Sequence, residues 1–287
     1  MAKTWFITGS NSGIGRAVAE QLLVAGQRVA ATARRPETLI ELADRFGEQV
    51  WTARLDVTDT DQIRAVVERA FAELGRIDVI FSNAGYGLTG AAEELSDEEL
   101  AGALDTNLIG PIQLARAVLP HLRAQQGGRF LQLSSVGGQI SDPGMSPYAA
   151  AKWGIEGFMQ ALKGEISEFG IEVTLIEPGN VPTDFGANHR FPTPMAEYES
   201  GPVGRLRRFI QTPGAVNAAA QSDLRKVASA IIAVADQTPG PTRVALGPDA
   251  YDYIHDALTT RIAELESLKD ICCGVAVDGP KPVANWR

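Results

Sequence analysis

The chain has 287 residues, 45% of them hydrophobic and 21% charged, which suits a globular protein with one large α/β core. A net charge of −9 and a pI near 5.0 argue against a nucleic-acid partner or an anionic membrane surface. No apolar run reaches the ~20 residues needed to cross a bilayer and no signal peptide precedes the first strand, so a cytoplasmic location without a membrane partner is expected.

Residues 4–8 read as a strand buried on both faces, and a helical stretch at 14–25 follows. Between them lies TGSNSGIG, with Gly9, Gly13 and Gly15. Such a turn lets the backbone approach a pyrophosphate seated at the positive end of the helix. The GxxxGxG spacing differs from the GxGxxG fingerprint, and a plain left-handed turn is the competing explanation. Placement between strand and helix favours a nucleotide. The second strand, 28–33, runs into AATARRPE. A carboxylate at its end would bond the ribose 2′-OH of NAD. Ala33 takes that place instead, and Arg34 and Arg35 offer guanidinium groups suited to a 2′-phosphate. Two solvated charges closing a strand are the alternative.

Strands at 50–55 and 77–81 flank an amphipathic helix at 61–74, and a longer helical pattern covers 95–124. SDEE at 96–99 is a capping box. Pro111, inside that long pattern, has no N–H to offer the carbonyl of Asn107, which must find another partner, naturally water. A simple kink at Gly110-Pro111 is the other outcome.

The strand at 129–133 leads into LSSVGG, at the sheet end where ligands of open parallel sheets bind. Ser135 is placed there to donate to a substrate oxygen, or merely to cap. In PYAAAKWG, Ser146 is the expected N-cap and Pro147 the first helical residue. Tyr148 and Lys152 then share a helix face kept bare by alanines. A free phenol titrates near ~10 and is a poor base at neutral pH. A unit charge ~4 Å away is worth about 4 kcal/mol at an effective dielectric of ~20, enough to draw the phenol toward neutrality. YxxxK alone also fits a half-buried Tyr beside a solvated Lys.

The last strands fall at 171–176 and 242–246. Residues 184–221 between them hold prolines and glycines without clean periodicity, and read as a lid. Phe185, Phe191, Met195, Tyr198 and Phe209 favour a fairly apolar substrate, or else pack the lid onto the body. Arg205, Arg207 and Arg208 are expected to be solvated rather than to meet an anion. A helix-like YDYIHDALTTRIAELESLK follows the last strand. The adjacent Cys272 and Cys273 suggest no disulfide framework, and the scattered His121, His189 and His255 suggest no metal.

Strand and helix alternate throughout. This predicts a doubly wound, mostly parallel, seven-stranded Rossmann-type sheet with helices on both faces, in one α/β domain over 1–287. Its parts are a cofactor-binding and catalytic core (1–183), a lid (184–221), a last helix and strand (222–248) and a C-terminal extension (249–287).

Together these motifs resemble the short-chain dehydrogenase/reductase family, in its short single-domain branch, over residues 3–248. TGSNSGIG matches that branch's TGxxxGIG turn, which implies cofactor contacts from Gly9, Asn11, Ser12, Gly13, Ile14 and Gly15. LDV resembles its adenine contact, through Asp56 and Val57, and NAG its ribose-side motif, through Asn83, Ala84 and Gly85. PGNVPT resembles its PGxVxT segment, so that Pro178, Gly179, Val181 and Thr183 line the nicotinamide. Asn107, Ser135, Tyr148 and Lys152 fall at the catalytic tetrad. The resemblance implies Tyr148 as acid/base and Ser135 as the group polarising the carbonyl. It implies that Lys152 bonds the nicotinamide ribose and lowers the Tyr148 pKa, while the Asn107 carbonyl holds a relay water. Ser82 and Ser12 depart from the family pattern. Ser12 stands where some NADP-preferring members carry a basic residue, which leaves Arg34 and Arg35 as the grounds for NADP(H), with NAD(H) the alternative. The implied function is an NADP(H)-dependent oxidoreductase interconverting a ketone or aldehyde and an alcohol on a small-molecule substrate, as a homo-oligomer (dimer or tetramer). A non-catalytic dinucleotide-binding redox sensor or regulator competes with it, but would have no need of a tuned phenol. An epimerase or dehydratase of the extended branch would carry TGxxGxxG, which is absent here.

Overall fold

The computed structural model describes residues 2–277 and 279. The strands are β1 (Thr4–Thr8), β2 (Arg28–Ala33), β3 (Val50–Arg54), β4 (Val79–Ser82), β5 (Gly128–Leu133), β6 (Ile171–Pro178) and β7 (Arg243–Leu246). They form one 7-stranded sheet in the order β3-β2-β1-β4-β5-β6-β7, and every pairing is parallel. The chain winds outward from β1 through β2 and β3, then crosses back to β4 on the other side of β1. That reversal opens a crevice at the carboxyl ends of β1 and β4. The fourth strand begins at Val79 rather than 77, because Ile77 is buried for packing and lies ahead of the hydrogen-bonded ladder.

Alternate residues of each strand feed two cores. Phe6, Ile80 and Phe130 pack with α3 (Thr60–Leu74), α5 (Gly110–Ala124) and α6 (Ser146–Ile166) on one face. Trp5, Ile7, Phe81 and Leu131 pack with α1 (Gly13–Val24) and α10 (Leu224–Ala235) on the other. The strands read as continuous apolar runs because both faces are covered. At the outer edge, α2 (Ile40–Phe46) packs against β3.

The helical pattern at 95–124 is interrupted. α4 (Asp97–Leu104) begins with the expected capping box, Ser96 and Glu99 each accepting the other's backbone N–H. A π turn at Asp105–Ile109 then separates it from α5, with the Gly110 N–H donating to the Asp105 carbonyl. Pro111 cannot make the ordinary bond to Asn107, and the widened turn accommodates the break. Gly110 is required there, since a Cβ would sit 2.5 Å from the Val57 carbonyl oxygen. The start of α6 is displaced from expectation, with Met145 at the N-cap and Ser146 already helical.

The lid is more ordered than its composition suggests. It contains α7 (Ala196–Glu199), α8 (Pro202–Gln211) and α9 (Ala215–Ala218). Arg207, expected to be solvated, is fully buried and pairs with Glu94 and Glu199. Glu94 also accepts the N–H groups of Ala91 at 2.6 Å and Met195 at 2.8 Å, so one buried carboxylate anchors the lid to the segment after β4. Burial raises its pKa, but these hydrogen bonds and the Arg207 charge outweigh burial and hold it below the usual range. After β7 come α11 (Pro248–Ser267) and α12 (Lys269–Gly274), while the expected extension at 278 and 280–287 lies outside the described residues. Among the described residues, no helix is long and apolar enough to cross a membrane and no metal-ligand cluster occurs.

Candidate active site

The turn after β1 is set by sterics. Gly9 and Gly13 have φ of +69° and +53°, in the left-handed region that favours glycine. A Cβ on Gly15 would collide with the Asn83 side chain and the Gly9 carbonyl. Asn83 Nδ2 donates to the carbonyls of Thr8 at 2.9 Å and Gly9 at 3.1 Å, and Thr8 Oγ1 accepts the N–H groups of Asn83 and Ala84. The NAG segment therefore clamps β4 to the turn. Ser12 is the N-cap of α1 but makes no side-chain cap, which leaves the first N–H groups of the helix available to an anion. Ile14 packs inward against the core, Asn11 is exposed, and Thr183 lies over Gly13. Val181 is buried beside it in the same segment.

At the other end of this wall, burial raises the Asp56 pKa. Hydrogen bonds from the Thr58 N–H and hydroxyl outweigh it, helped by the charges of Arg34 and Arg54, and the carboxyl stays below its usual range. Arg34 and Arg35 are both exposed, and Arg34 is close enough to feel Asp56. The Asn107 side chain is committed to structure. Its Oδ1 accepts the Tyr86 N–H and its Nδ2 donates to the carbonyls of Tyr86 and Ala103. Gly85 is needed beneath it, where a Cβ would come within 2.6 Å of Oδ1.

Tyr148 and Lys152 face inward from α6, 9% and 5% exposed. Lys152 Nζ lies 5.6 Å from the Tyr148 ring centre and donates to the Leu133 carbonyl, at the end of β5, at 3.0 Å. Ser135 Oγ accepts the Gly137 N–H at 3.1 Å, and Gly137 borders the Tyr148 ring. The expected downward shift of the phenol is reversed here. Burial pushes Tyr148 up to about 12, only partly opposed by a hydrogen bond with Ser135. Burial also pushes Lys152 down to about 8, opposed by the Glu156 charge. Desolvation outweighs charge attraction because both groups sit deep in the fold.

One further turn along the same helix face, Glu156 is buried, and the sequence reading missed it. It accepts from Ser134 Oγ at 2.6 Å, Gln139 Nε2 at 2.6 Å and Arg243 Nε at 3.1 Å. Glu177 on β6 shares the same Arg243, at 3.2 Å. Continuation of the helical spacing from Tyr148 through Lys152 was the signal that marked Glu156. On the lid side, Phe185 meets the Tyr148 ring edge-on at 6.1 Å, and His189 meets Phe185 at 5.4 Å. His189 Nε2 is 2.8 Å from Thr89 Oγ1, and burial lowers its pKa to about 4, so the imidazole is neutral at ordinary pH. A phenol, a serine hydroxyl and an ammonium thus converge at the carboxyl end of β5, beside a glycine turn with free helix N–H groups and under an aromatic lid.

Residues 3–192 match the family model for short chain dehydrogenases. Oxidoreductase BOA17 of Botryotinia fuckeliana (strain B05.10) is 38% identical over 273 residues, covering 94% of this chain and 98% of that protein. The crystal structure of a short-chain dehydrogenase from Streptomyces avermitilis is similar at a TM-score of 0.88 and 36% identity, over 96% of this chain and 99% of that one. An alcohol dehydrogenase from the archaeon Thermococcus sibiricus, complexed with 5-hydroxy-NADP, shares the fold at a TM-score of 0.69 and 24% identity, over 86% of this chain and 97% of its own. The chain is an oxidoreductase and belongs to the short-chain dehydrogenase family.

Proposed function

We propose that the protein interconverts ketones or aldehydes and alcohols with NADP(H), on a fairly apolar small molecule, with Tyr148 as the proton-transferring residue. The observation that carries this reading is the buried Tyr148, flanked by Ser135 and Lys152 and roofed by Phe185. The residues present fit a dinucleotide: the uncapped α1 N-terminus and the glycine turn for the pyrophosphate, Asp56 and Val57 for the adenine, and Val181 and Thr183 for the nicotinamide. Ala33 leaves no carboxylate to repel a 2′-phosphate, and Arg34 and Arg35 supply positive charge. When bound, the nicotinamide supplies or accepts the hydride.

The protein's own groups handle the proton. A phenol pushed up to about 12 keeps its proton at neutral pH, which suits it to donate to a carbonyl oxygen during reduction. Ser135 holds and polarises that oxygen. Lys152 is mostly charged below about 8, is steadied by the Leu133 carbonyl, and returns a proton to the phenolate. The Asn107 carbonyl, which Pro111 cannot satisfy, would hold the relay water that recharges Lys152. The chain acts as one domain and as a homo-oligomer.

The test is to measure NADPH and NADH binding and then follow NADPH consumption over a panel of ketones and aldehydes. Tighter binding of NADPH and turnover of apolar ketones are expected. Tight NADPH binding without turnover of any carbonyl compound would favour a regulatory binding protein instead.

A further inference from the structure

β6 ends at Pro178, and the next N–H, that of Gly179, donates to the Leu246 carbonyl at the end of β7 at 3.0 Å. α11 starts almost at once and places Asp249, 6% exposed, in its first turn. Asp249 Oδ2 accepts the backbone N–H of Asn180 at 2.6 Å. The Asn180 side chain in turn donates from Nδ2 to the carbonyl of Val216, in α9 of the lid, at 2.7 Å. Asn180 is therefore held through its backbone by the C-terminal extension and through its side chain by the lid. The carboxylate fills the space a Cβ on Gly179 would need, so glycine permits its approach.

Among the described residues, the other carboxylate oxygen, Oδ1, is buried without a hydrogen-bond partner, and so is Oγ of Ser222, which follows the lid directly. A Cβ at Gly247 would lie 2.5 Å from Ser222 Oγ and 2.6 Å from Asp249 Oδ1, so the two atoms converge on one spot. An unpaired buried acceptor is costly, and a hydroxyl facing the same spot is its natural donor. Bringing the two together would satisfy both.

We propose that Asp249 is a positioning residue for the loop at 178–183 and that it couples this loop to the lid through Asn180 and, on lid closure, through Ser222. The proposal rests on the reading that this loop holds the nicotinamide. It gives the start of the C-terminal extension a role: the lid and the cofactor loop answer to the same carboxylate.

The test compares the full-length protein with Asp249→Ala, Asp249→Asn and Ser222→Ala. Amide hydrogen exchange is followed in peptides covering 178–183 and 212–222, together with NADPH affinity and the KM for an accepted ketone. In Asp249→Ala, exchange in both segments and the NADPH Kd rise about tenfold. Asp249→Asn, which keeps an acceptor for the Asn180 N–H, recovers most of both. Ser222→Ala raises the ketone KM about threefold and leaves NADPH affinity unchanged. A purely structural Asp249 would lower the melting temperature without changing NADPH affinity in the folded fraction. Folded Asp249→Ala with exchange and NADPH affinity within twofold of the parent overturns the proposal. If that variant does not fold, Asp249→Ser, too short to reach Asn180, replaces it under the same criteria. A parent protein that fails to bind NADPH sinks the functional reading instead, and the exchange data still decide the coupling.

Discussion

The two walls of the crevice are built by different means. The wall proposed to hold the cofactor is built on backbone: Gly9, Gly13 and Gly15 follow β1 directly, and Asn83, 75 residues from Thr8 but at the end of the neighbouring strand, binds the carbonyls of Thr8 and Gly9. The lid wall is made of long-range pairs. Arg207 finds Glu94 across 113 residues, Thr89 meets His189 across 100, and Asn180 reaches Val216 across 36. The first wall depends on what the backbone can do without a side chain. The second depends on which side chains meet after folding. Substitutions in the two should therefore separate cofactor affinity from substrate handling.

The largest effect is expected where the walls meet. Tyr148→Phe keeps the ring and its contact with Phe185 but removes the proton, so turnover should fall by ~10²–10⁴. NADPH binding should hold, since in the proposed reaction the hydroxyl bears on the substrate. Near-normal turnover in this variant would remove Tyr148 from the reaction. Gly15→Val tests the cofactor wall alone. The added side chain must displace the Asn83 amide or the Gly9 carbonyl, which moves the turn out of the shape that would accept the pyrophosphate, and NADPH affinity should fall by about tenfold or more. Its ketone KM, measured at saturating NADPH, should stay near the parent value. A matched loss of both would show that the walls are mechanically one.

That division also separates what the sequence made legible from what it hid. The seven strands and the glycine turn were readable because continuous apolar runs and close backbone approach are local demands. The broken helix at Asn107 was readable because proline removes a specific donor, although the π turn that resolves the break was not. Arg207 was misread as solvated because nothing near it in sequence announces Glu94. The direction of the Tyr148 shift was misread for a related reason. Helical spacing gives the distance to Lys152, but burial is set by the whole fold, and here burial outweighs the charge. Asp249 and Glu156 escaped notice because their partners come from other elements.

Glu94→Gln acts on the lid wall alone. It leaves the buried Arg207 with the half-exposed Glu199 as its remaining carboxylate partner and removes the fully buried one, a costly change. Protease cleavage within 184–221 should become faster and the ketone KM should rise by about three- to tenfold, with the NADPH Kd unchanged. The pH dependence has a definite sign. Because the Glu94 pKa lies below its ordinary value, the anchor is complete above the usual carboxylate range and weakens as pH falls through the depressed value. In the parent protein, lid cleavage should therefore accelerate on acidification. An equal loss of NADPH affinity in Glu94→Gln would break the separation between the walls.

The smallest effect tests whether long-range contacts also govern ionisation beneath the site. Burial, and then repulsion from Glu156, push Glu177 up to about 8, while Gln139 and Arg243 pull it the other way. A carboxyl raised in the folded state stabilises the protein most when protonated. That contribution is complete below its ordinary value of 4.5 and is lost as pH rises through about 8. Glu177→Gln holds the neutral form at every pH and keeps an acceptor for Arg243. Its melting temperature should match the parent's near pH 5 and exceed it by a margin that widens toward pH 9, with the Glu156–Arg243 pair left in place. A margin that stays constant with pH would mean that Glu177 ionises in the folded protein as it does in the unfolded chain, and that burial does not govern it.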